Sequence, residues 1–148
     1  MLLTGTFPRS LDEKQRVAVP KRLRDALGCP EGGDLYVAPG TDGSLAIYTE
    51  ESFGRLAERL TLASPAQREV RDFARLFYGS AQRVELDGQG RIRIPSELAR
   101  QVQLGKEVVL VGVRDHLELW AADRWETYRR EKQAHFDEIA EAAFGGPH

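Results

Sequence analysis

Leu11-Asp12-Glu13-Lys14-Gln15-Arg16-Val17-Ala18-Val19-Pro20-Lys21-Arg22-Leu23 and Leu86-Asp87-Gly88-Gln89-Gly90-Arg91-Ile92-Arg93-Ile94-Pro95-Ser96-Glu97-Leu98 are two versions of one stretch, 75 residues apart. Five of 13 positions are identical, and Val17/Ile92 and Val19/Ile94 are conservative pairs. The match continues more loosely. Leu27-Gly28 answers Leu104-Gly105, Leu35-Tyr36-Val37 answers Val109-Leu110-Val111, and Leu45–Tyr48 answers Leu117–Trp120. Phe53 and Trp125 each follow five residues after the aromatic that closes the last pair. A fixed order of matching features marks an internal repeat. The division expected is a first unit over 1–60 with a trailing helix, a connecting helix over 61–78, and a second unit over 79–148 with a C-terminal helix. The three form one joint globular body.

Each copy of the stretch reads as strand, tight turn, strand. Val84-Glu85-Leu86 and Arg91-Ile92-Arg93-Ile94 alternate on either side of Gly88-Gln89-Gly90. Gly90 closes that turn in the left-handed conformation, which costs glycine nothing; the first copy has Gln15 there, at a cost of about 1–2 kcal/mol if the turn is built alike. Val17, Val19, Ile92 and Ile94 share one strand face and belong to a core. Arg16, Ala18, Arg91 and Arg93 take the other face, which is wet or kept for a partner. Pro20 and Pro95 suit first helical positions, so short helices are expected over 20–27 and 95–103, ended by Gly28 and Gly105. A second hairpin follows in each unit. Further helices are expected from Ser64 to Gly79, with Val70, Phe73, Ala74 and Phe77 as one apolar stripe, and over 122–143. The Gly145–His148 end is expected to fray.

Four short strands are too few to be stable alone. Two units paired about a pseudo-two-fold axis would bury both apolar faces. The fold class expected is α+β, mainly β: a closed or nearly closed barrel built jointly by the two repeats, with helices on its outside.

The chain has 148 residues, 41% hydrophobic and 30% charged, with a net charge of −2. This excludes a disordered chain and a globally basic nucleic-acid binder. No apolar run approaches the roughly 18–20 residues of a membrane span. Met1–Gly5 has no basic region leading into an apolar stretch, and Cys29 is a single cysteine without a disulfide partner, so a cytosolic compartment is expected. His116 and Glu118 share a strand face, but two ligands do not make a zinc site. No nucleophile–base pair and no phosphate-binding glycine fingerprint is present. Neither an enzyme nor a metal, cofactor or small-molecule site is expected.

Charge placement points elsewhere. Residues 9–24 carry Arg9, Lys14, Arg16, Lys21, Arg22 and Arg24 against Asp12 and Glu13, a local +4, whereas residues 115–148 carry −4. A protruding two-stranded ribbon with arginines at its turn fits a major groove. Arg16 is the candidate for base edges or phosphate, Lys14, Lys21 and Arg9 for phosphate, and Arg91 and Arg93 for the same work in the second copy. Asp12 and Asp87 would repel phosphate. Their expected task is to bind turn amides and orient the arginine four residues on. The acidic, aromatic C-terminal helix supports a rival reading, a module that docks another protein.

Leu11-Asp12-x-Lys14-x-Arg16-Val17-x-Val19-Pro20, Leu86-Asp87-x-x-Gly90-Arg91-Ile92-x-Ile94-Pro95, Val109–Gly112 and Leu117–Trp120 together resemble the MraZ family of bacterial transcriptional regulators, two-repeat members of the AbrB/SpoVT group. The resemblance spans about residues 1–140. It implies a swapped-hairpin β-barrel of two AbrB-like halves and a ring-shaped homo-oligomer in the cytoplasm, associated with the nucleoid. It also implies binding to direct repeats in double-stranded promoter DNA, as a repressor of the division and cell-wall gene cluster that includes the regulator's own gene. The family's D-x-x-x-R residues carry over to Asp12 and Arg16, and to Asp87 and Arg91. Gln15 departs from the glycine usual in the first motif. The alternative within the same barrel is an antitoxin-like interaction module.

Overall fold

The alternating stretches form strands, and their apolar side is inside: Val17, Val19, Ile92 and Ile94 are all buried. The computed structural model describes residues 1–28 and 33–145; Cys29 and the segment 146–148 lie outside the described residues. The elements of the first repeat are β1 (Thr6–Ser10), β2 (Arg16–Ala18), α1 (Lys21–Leu27), β3 (Asp34–Pro39), β4 (Leu45–Thr49) and α2 (Glu50–Thr61). Then come α3 (Arg68–Ser80), β5 (Gln82–Glu85), β6 (Arg91–Arg93), α4 (Ser96–Gln101), β7 (Glu107–Val113), β8 (His116–Ala121), α5 (Ala122–Gln133) and α6 (Phe136–Gly145).

The strands form a six-stranded antiparallel sheet, ordered β1-β7-β8-β4-β3-β5, and a two-stranded ladder of β2 with β6. The repeats exchange their first strands: β1 of the first lies beside β7 of the second, and β5 of the second beside β3 of the first. At the middle of the two ladders that pair equivalent strands of the two repeats, Val17 faces Ile92 and Ala46 faces Glu118. These are equivalent positions of the two copies, so both pairs mark one pseudo-two-fold axis. The exchange places the side chains of both repeats in a single core of Leu, Val and Ile residues. Each fully buried branched side chain contributes about 1.5–3 kcal/mol relative to exposure.

The expected closed barrel does not form. Its hydrogen-bonded ladders leave two edges, β1 and β5, and the two-stranded ladder stands apart. The reason lies in the turns. Between β1 and β2 the chain makes only the turn bonds Asp12 N–H to Arg16 O (3.0 Å) and Gln15 N–H to Asp12 O (3.0 Å) before each strand takes a different partner. Pro8 within β1 also lacks an N–H, which suits an edge strand. The expected ribbon is corrected for the same reason. It is not β5 folded back on β6 but β6 paired with β2 of the other repeat.

Smaller corrections concern boundaries. Pro20 and Pro95 are N-caps with extended ψ rather than first helical residues. Gly28 ends α1 in the left-handed conformation, but α4 stops at Gln101, and Gln103 (φ 54°), not Gly105, takes the left-handed position. Ser64–Gln67 is a separate turn, and α3 begins at Arg68 and runs through Gly79 to Ser80. Of its expected stripe only Phe77 is buried. The helix expected over 122–143 is two helices, broken at Ala134-His135. Strand registers also shift one match: Val37, opposite Ile47, is the counterpart of Leu110, opposite Leu119. The counterpart of Leu35-Tyr36-Val37 is therefore Val108-Val109-Leu110 rather than Val109-Leu110-Val111, and a one-residue slip exchanges strand faces.

Candidate nucleic-acid interface

Both D-x-x-x-R motifs build the same turn. In the first, the Asp12 carboxylate accepts from the N–H groups of Lys14 and Arg16, each at 2.9 Å, through Oδ1, and from Arg16 Nε at 2.7 Å through Oδ2. In the second, Asp87 accepts from the N–H groups of Gln89 and Arg91 at 2.9 Å, and from Arg91 Nε at 2.9 Å. The four-residue spacing is what lets one carboxylate span the turn and reach the guanidinium beyond it. The backbone N–H of Arg16, foremost, holds the Asp12 carboxyl below the usual carboxylate range, and that of Arg91 does so for Asp87. Both aspartates therefore stay charged at neutral pH.

The two turns interlock. Val19 N–H donates to Gly90 O at 2.9 Å, and Ile94 N–H donates to Gln15 O at 2.8 Å, so each repeat clasps the turn of the other. Arg91 Nη1 lies 3.8 Å from Asp12 Oδ2, joining the two Asp–Arg pairs. Gln15 (φ 61°) and Gly90 (φ 74°) both take the left-handed conformation, so the first turn is built like the second, with strain at Gln15.

The outer face of the β2–β6 ladder carries Arg16 opposite Arg93 and Ala18 opposite Arg91. Like charges directly across a ladder destabilise it. Arg16 and Arg91 are about a quarter exposed, held down by their aspartates, while Arg93 is open to solvent. Each held arginine spends its Nε on the carboxylate. The outer nitrogens of Arg16, and Nη2 of Arg91 beside the Nη1 that leans on Asp12, remain for acceptors such as a phosphate or the O6/N7 edge of guanine. Open grooves flank the first turn: one is lined by Glu13 to Arg16 together with Lys106, the other by Lys14, Gln15, Arg93 and Glu97.

The structure thus brings Asp12, Lys14, Arg16, Asp87, Gly90, Arg91 and Arg93 together, with Pro20 and Pro95 turning the chain into α1 and α4 behind them. Two expected residues sit elsewhere. Arg9 is on the edge strand β1, its guanidinium 5.9 Å from the Phe7 ring centre, and Lys21 is an exposed residue of α1 paired with Asp25 at 3.0 Å. Arg22 and Arg24, which the sequence gives only as part of the basic segment 9–24, and Lys106, which it does not single out, take definite places. Arg22 shares the Phe7 ring with Arg9, at 5.5 Å. Lys106 reaches the first groove from the start of β7. Arg24 lies across the second turn, donating from Nε to Val19 O at 3.1 Å, where a Cβ on Gly90 would meet that Nε at 2.6 Å. The signal for Arg24 was in the repeat: its counterpart is Ala99, so the copy with the arginine presses on glycine and the copy with alanine leaves room for Gln15.

His116 also belongs to no interface. It bonds Asp115 at 2.9 Å, lies 3.8 Å from Glu118 and stacks on Tyr48. Glu118 in turn accepts from Trp120 Nε1 at 3.0 Å. Among the described residues no cluster of three or more metal-ligating side chains occurs, and no helix is long and apolar enough to cross a membrane.

The family model described as "MraZ protein, putative antitoxin-like" matches twice, over residues 2–76 and 77–146. The chain belongs to the MraZ family. Among its MraZ relatives is the transcriptional regulator MraZ of Ligilactobacillus salivarius, 37% identical over 140 residues and 95% of each chain. Proteins of the same name from Alkaliphilus metalliredigens and Heliobacterium modesticaldum are 36% and 34% identical, over 94% and 95% of each chain. The two MraZ matches meet between Leu76 and Phe77, inside α3.

Proposed function

We propose that this chain is a sequence-specific DNA-binding transcriptional regulator that reads double-stranded promoter DNA with the arginine face of the β2–β6 ladder. The observation that carries the reading is three arginines on one short exposed face, two of them clamped by aspartates. Such a face costs stability unless an anionic partner uses it. The relatives, named as transcriptional regulators, support a regulator of transcription. Arg16 and Arg91 are assigned to base edges or phosphate, Lys14 and Arg93 to phosphate beside them, and Arg9 and Lys21 to the flanking backbone. Asp12 and Asp87 position their arginines and touch no DNA.

A net charge of −2 per subunit makes a monomer a poor binder. The finer reading is therefore a ring-shaped homo-oligomer that aligns several such faces on promoter direct repeats, where avidity multiplies weak contacts. Its target is the division and cell-wall gene cluster with the regulator's own gene, its action repression, and its place the nucleoid in the cytoplasm. The exchange of first strands between repeats supports the AbrB-like, swapped architecture behind this reading. Footprinting the protein on DNA upstream of its own gene, with mass measured in the same buffer, is the test. Evenly spaced protected repeats under a multi-subunit species are expected; no protection at low salt would refute the reading.

The second reading is the antitoxin-like module, favoured by the family description and by the exposed apolar residues of α6. Stoichiometric co-purification of a different protein, with no promoter retention, would select it.

A further inference from the structure

Gln15 and Gly90 hold the same left-handed position, at φ 61° and 74°, yet Gln15 is exposed and Gly90 is buried. The cause is the residue that each turn meets. Arg24 lies across Gly90, and a Cβ there would stand 2.6 Å from its Nε and 2.8 Å from its Cζ. Ala99, the counterpart of Arg24, is a buried residue with no side chain long enough to cover the first turn. The main chain of Gln15 is fully engaged. Its N–H donates to Asp12 O at 3.0 Å, and its carbonyl accepts from Ile94 N–H at 2.8 Å. Its side-chain amide has no hydrogen-bond partner among the described residues. A glycine would close this turn without steric cost, as one does in the second repeat. A strained residue kept on the face that meets a ligand points to a use for its side chain.

The surroundings of Gln15 say which use. It lines both open grooves beside the first turn, next to Arg16 in one and with Arg93 in the other. In the groove shared with Arg93, the cations Lys14 and Arg93 are balanced by Glu13 and Glu97. A neutral group there adds hydrogen bonding rather than charge. An amide presents an acceptor oxygen and a donor nitrogen side by side. That pair matches N6 and N7 of adenine in the major groove, whereas the donor-only fork of arginine matches guanine.

We propose that Gln15 reads an adenine: its amide oxygen accepts from N6 and its amide N–H donates to N7, beside the phosphate or guanine held by Arg16. The inference rests on the DNA-binding face proposed above and gives that face a direction. Gly90 offers no amide at the equivalent place, and Gln89 stands at the position of Lys14, one residue earlier in the turn. The two ends of the ladder therefore select different bases, and one subunit fits its site in one orientation only.

The test is equilibrium binding of the full chain, as wild type and as Gln15→Gly, to the repeat that footprinting protects and to its single base-pair substitutions, at matched salt. Circular dichroism and melting curves control for folding. Wild type is expected to lose about 5- to 150-fold in affinity when one particular A·T pair is changed. Gln15→Gly is expected to bind the original repeat more weakly by a similar factor and to be indifferent to that pair, with wild-type penalties at the others. Its salt dependence stays that of wild type, because no phosphate contact is lost. An adenine analogue with carbon in place of N7 at that pair should weaken wild type and leave Gln15→Gly unaffected. Gln15→Asn, which tolerates the left-handed turn but withdraws the amide by one methylene, should lose the same preference and serves if glycine alters the turn. Wild-type penalties at every pair in the folded variants, or a uniform weakening with a shallower salt dependence, overturn the assignment and leave the arginine face standing. Wild type that binds all sequences alike overturns that face and the assignment together.

Discussion

Gly90 and Gln15 occupy one position of the repeat with opposite consequences, so exchanging their chemistry should move stability in opposite directions. At Gly90 (φ 74°) an alanine meets the left-handed penalty of about 1–2 kcal/mol, less about 0.4–1 kcal/mol regained from a stiffer unfolded chain. Its Cβ would also lie 2.6 Å from Arg24 Nε, which displaces that side chain and its 3.1 Å bond to Val19 O. Losing that bond adds about 0.5–1.5 kcal/mol. Gly90→Ala should therefore cost about 1–2.5 kcal/mol. Gln15→Gly relieves the backbone at φ 61° and should gain about 0.5–1 kcal/mol after the entropy of a freer unfolded chain. For a chain of this size about 1 kcal/mol moves Tm by roughly 2–4 °C. Calorimetry at one fixed protomer concentration, since assembly shifts Tm, should give a fall of about 2–10 °C for the first variant and a rise of about 1–4 °C for the second. Arg24→Ala in the Gly90→Ala background should recover the steric part only, a coupling of about 1 kcal/mol. Both variants shifting in the same direction, or a Gly90→Ala that melts like wild type, would refute this account of the paired turns.

Three further outcomes follow from the geometry. His116 should titrate above its ordinary midpoint: Glu118 foremost raises it, burial opposes, and Asp115 adds to the rise. Its stabilising effect is then complete below about pH 6.5 and fades as pH rises through the higher folded midpoint; the stability gap between wild type and His116→Gln should be larger at acid than at alkaline pH. Leu110→Ala, at a fully buried site facing Leu119, should cost about 2–5 kcal/mol in a melting experiment. Lys14→Ala should leave Tm unchanged and lower the slope of log binding constant against log salt by about one phosphate contact, weakening all DNA sequences alike.

Much of the fold was legible because its signals are local. The alternation at Arg16–Val19 and Arg91–Ile94, the D-x-x-x-R turns and the left-handed Gly90 depend on a few neighbouring residues, and all were read directly. Strand partnership was not legible. Nothing in Val84 or Leu86 says whether β5 pairs with β6 or with β3; the exchange follows from burying both repeats at once. The register slip at Leu35-Tyr36-Val37 has a similar cause, since three successive apolar residues fit either strand face until burial chooses Leu35 and Val37. The break between α5 and α6 was hidden by Trp125, Tyr128, Phe136 and Ile139, which read as one helix. Of the candidate site, the clamped arginines were legible, Arg22 and Arg24 were legible only as local charge, and Lys106 was not. Their places at Phe7, at Gly90 and in the groove are made by tertiary contacts.

The most direct test of the central claim is equilibrium binding of wild type, Arg16→Ala and Arg91→Ala to the upstream promoter fragment at matched salt, with subunit mass recorded in the same samples. Arg16→Ala is expected to lose specific binding at unchanged mass and unchanged fold, and Arg91→Ala to weaken it. Wild-type affinity in both variants would contradict a DNA-reading face on the β2–β6 ladder.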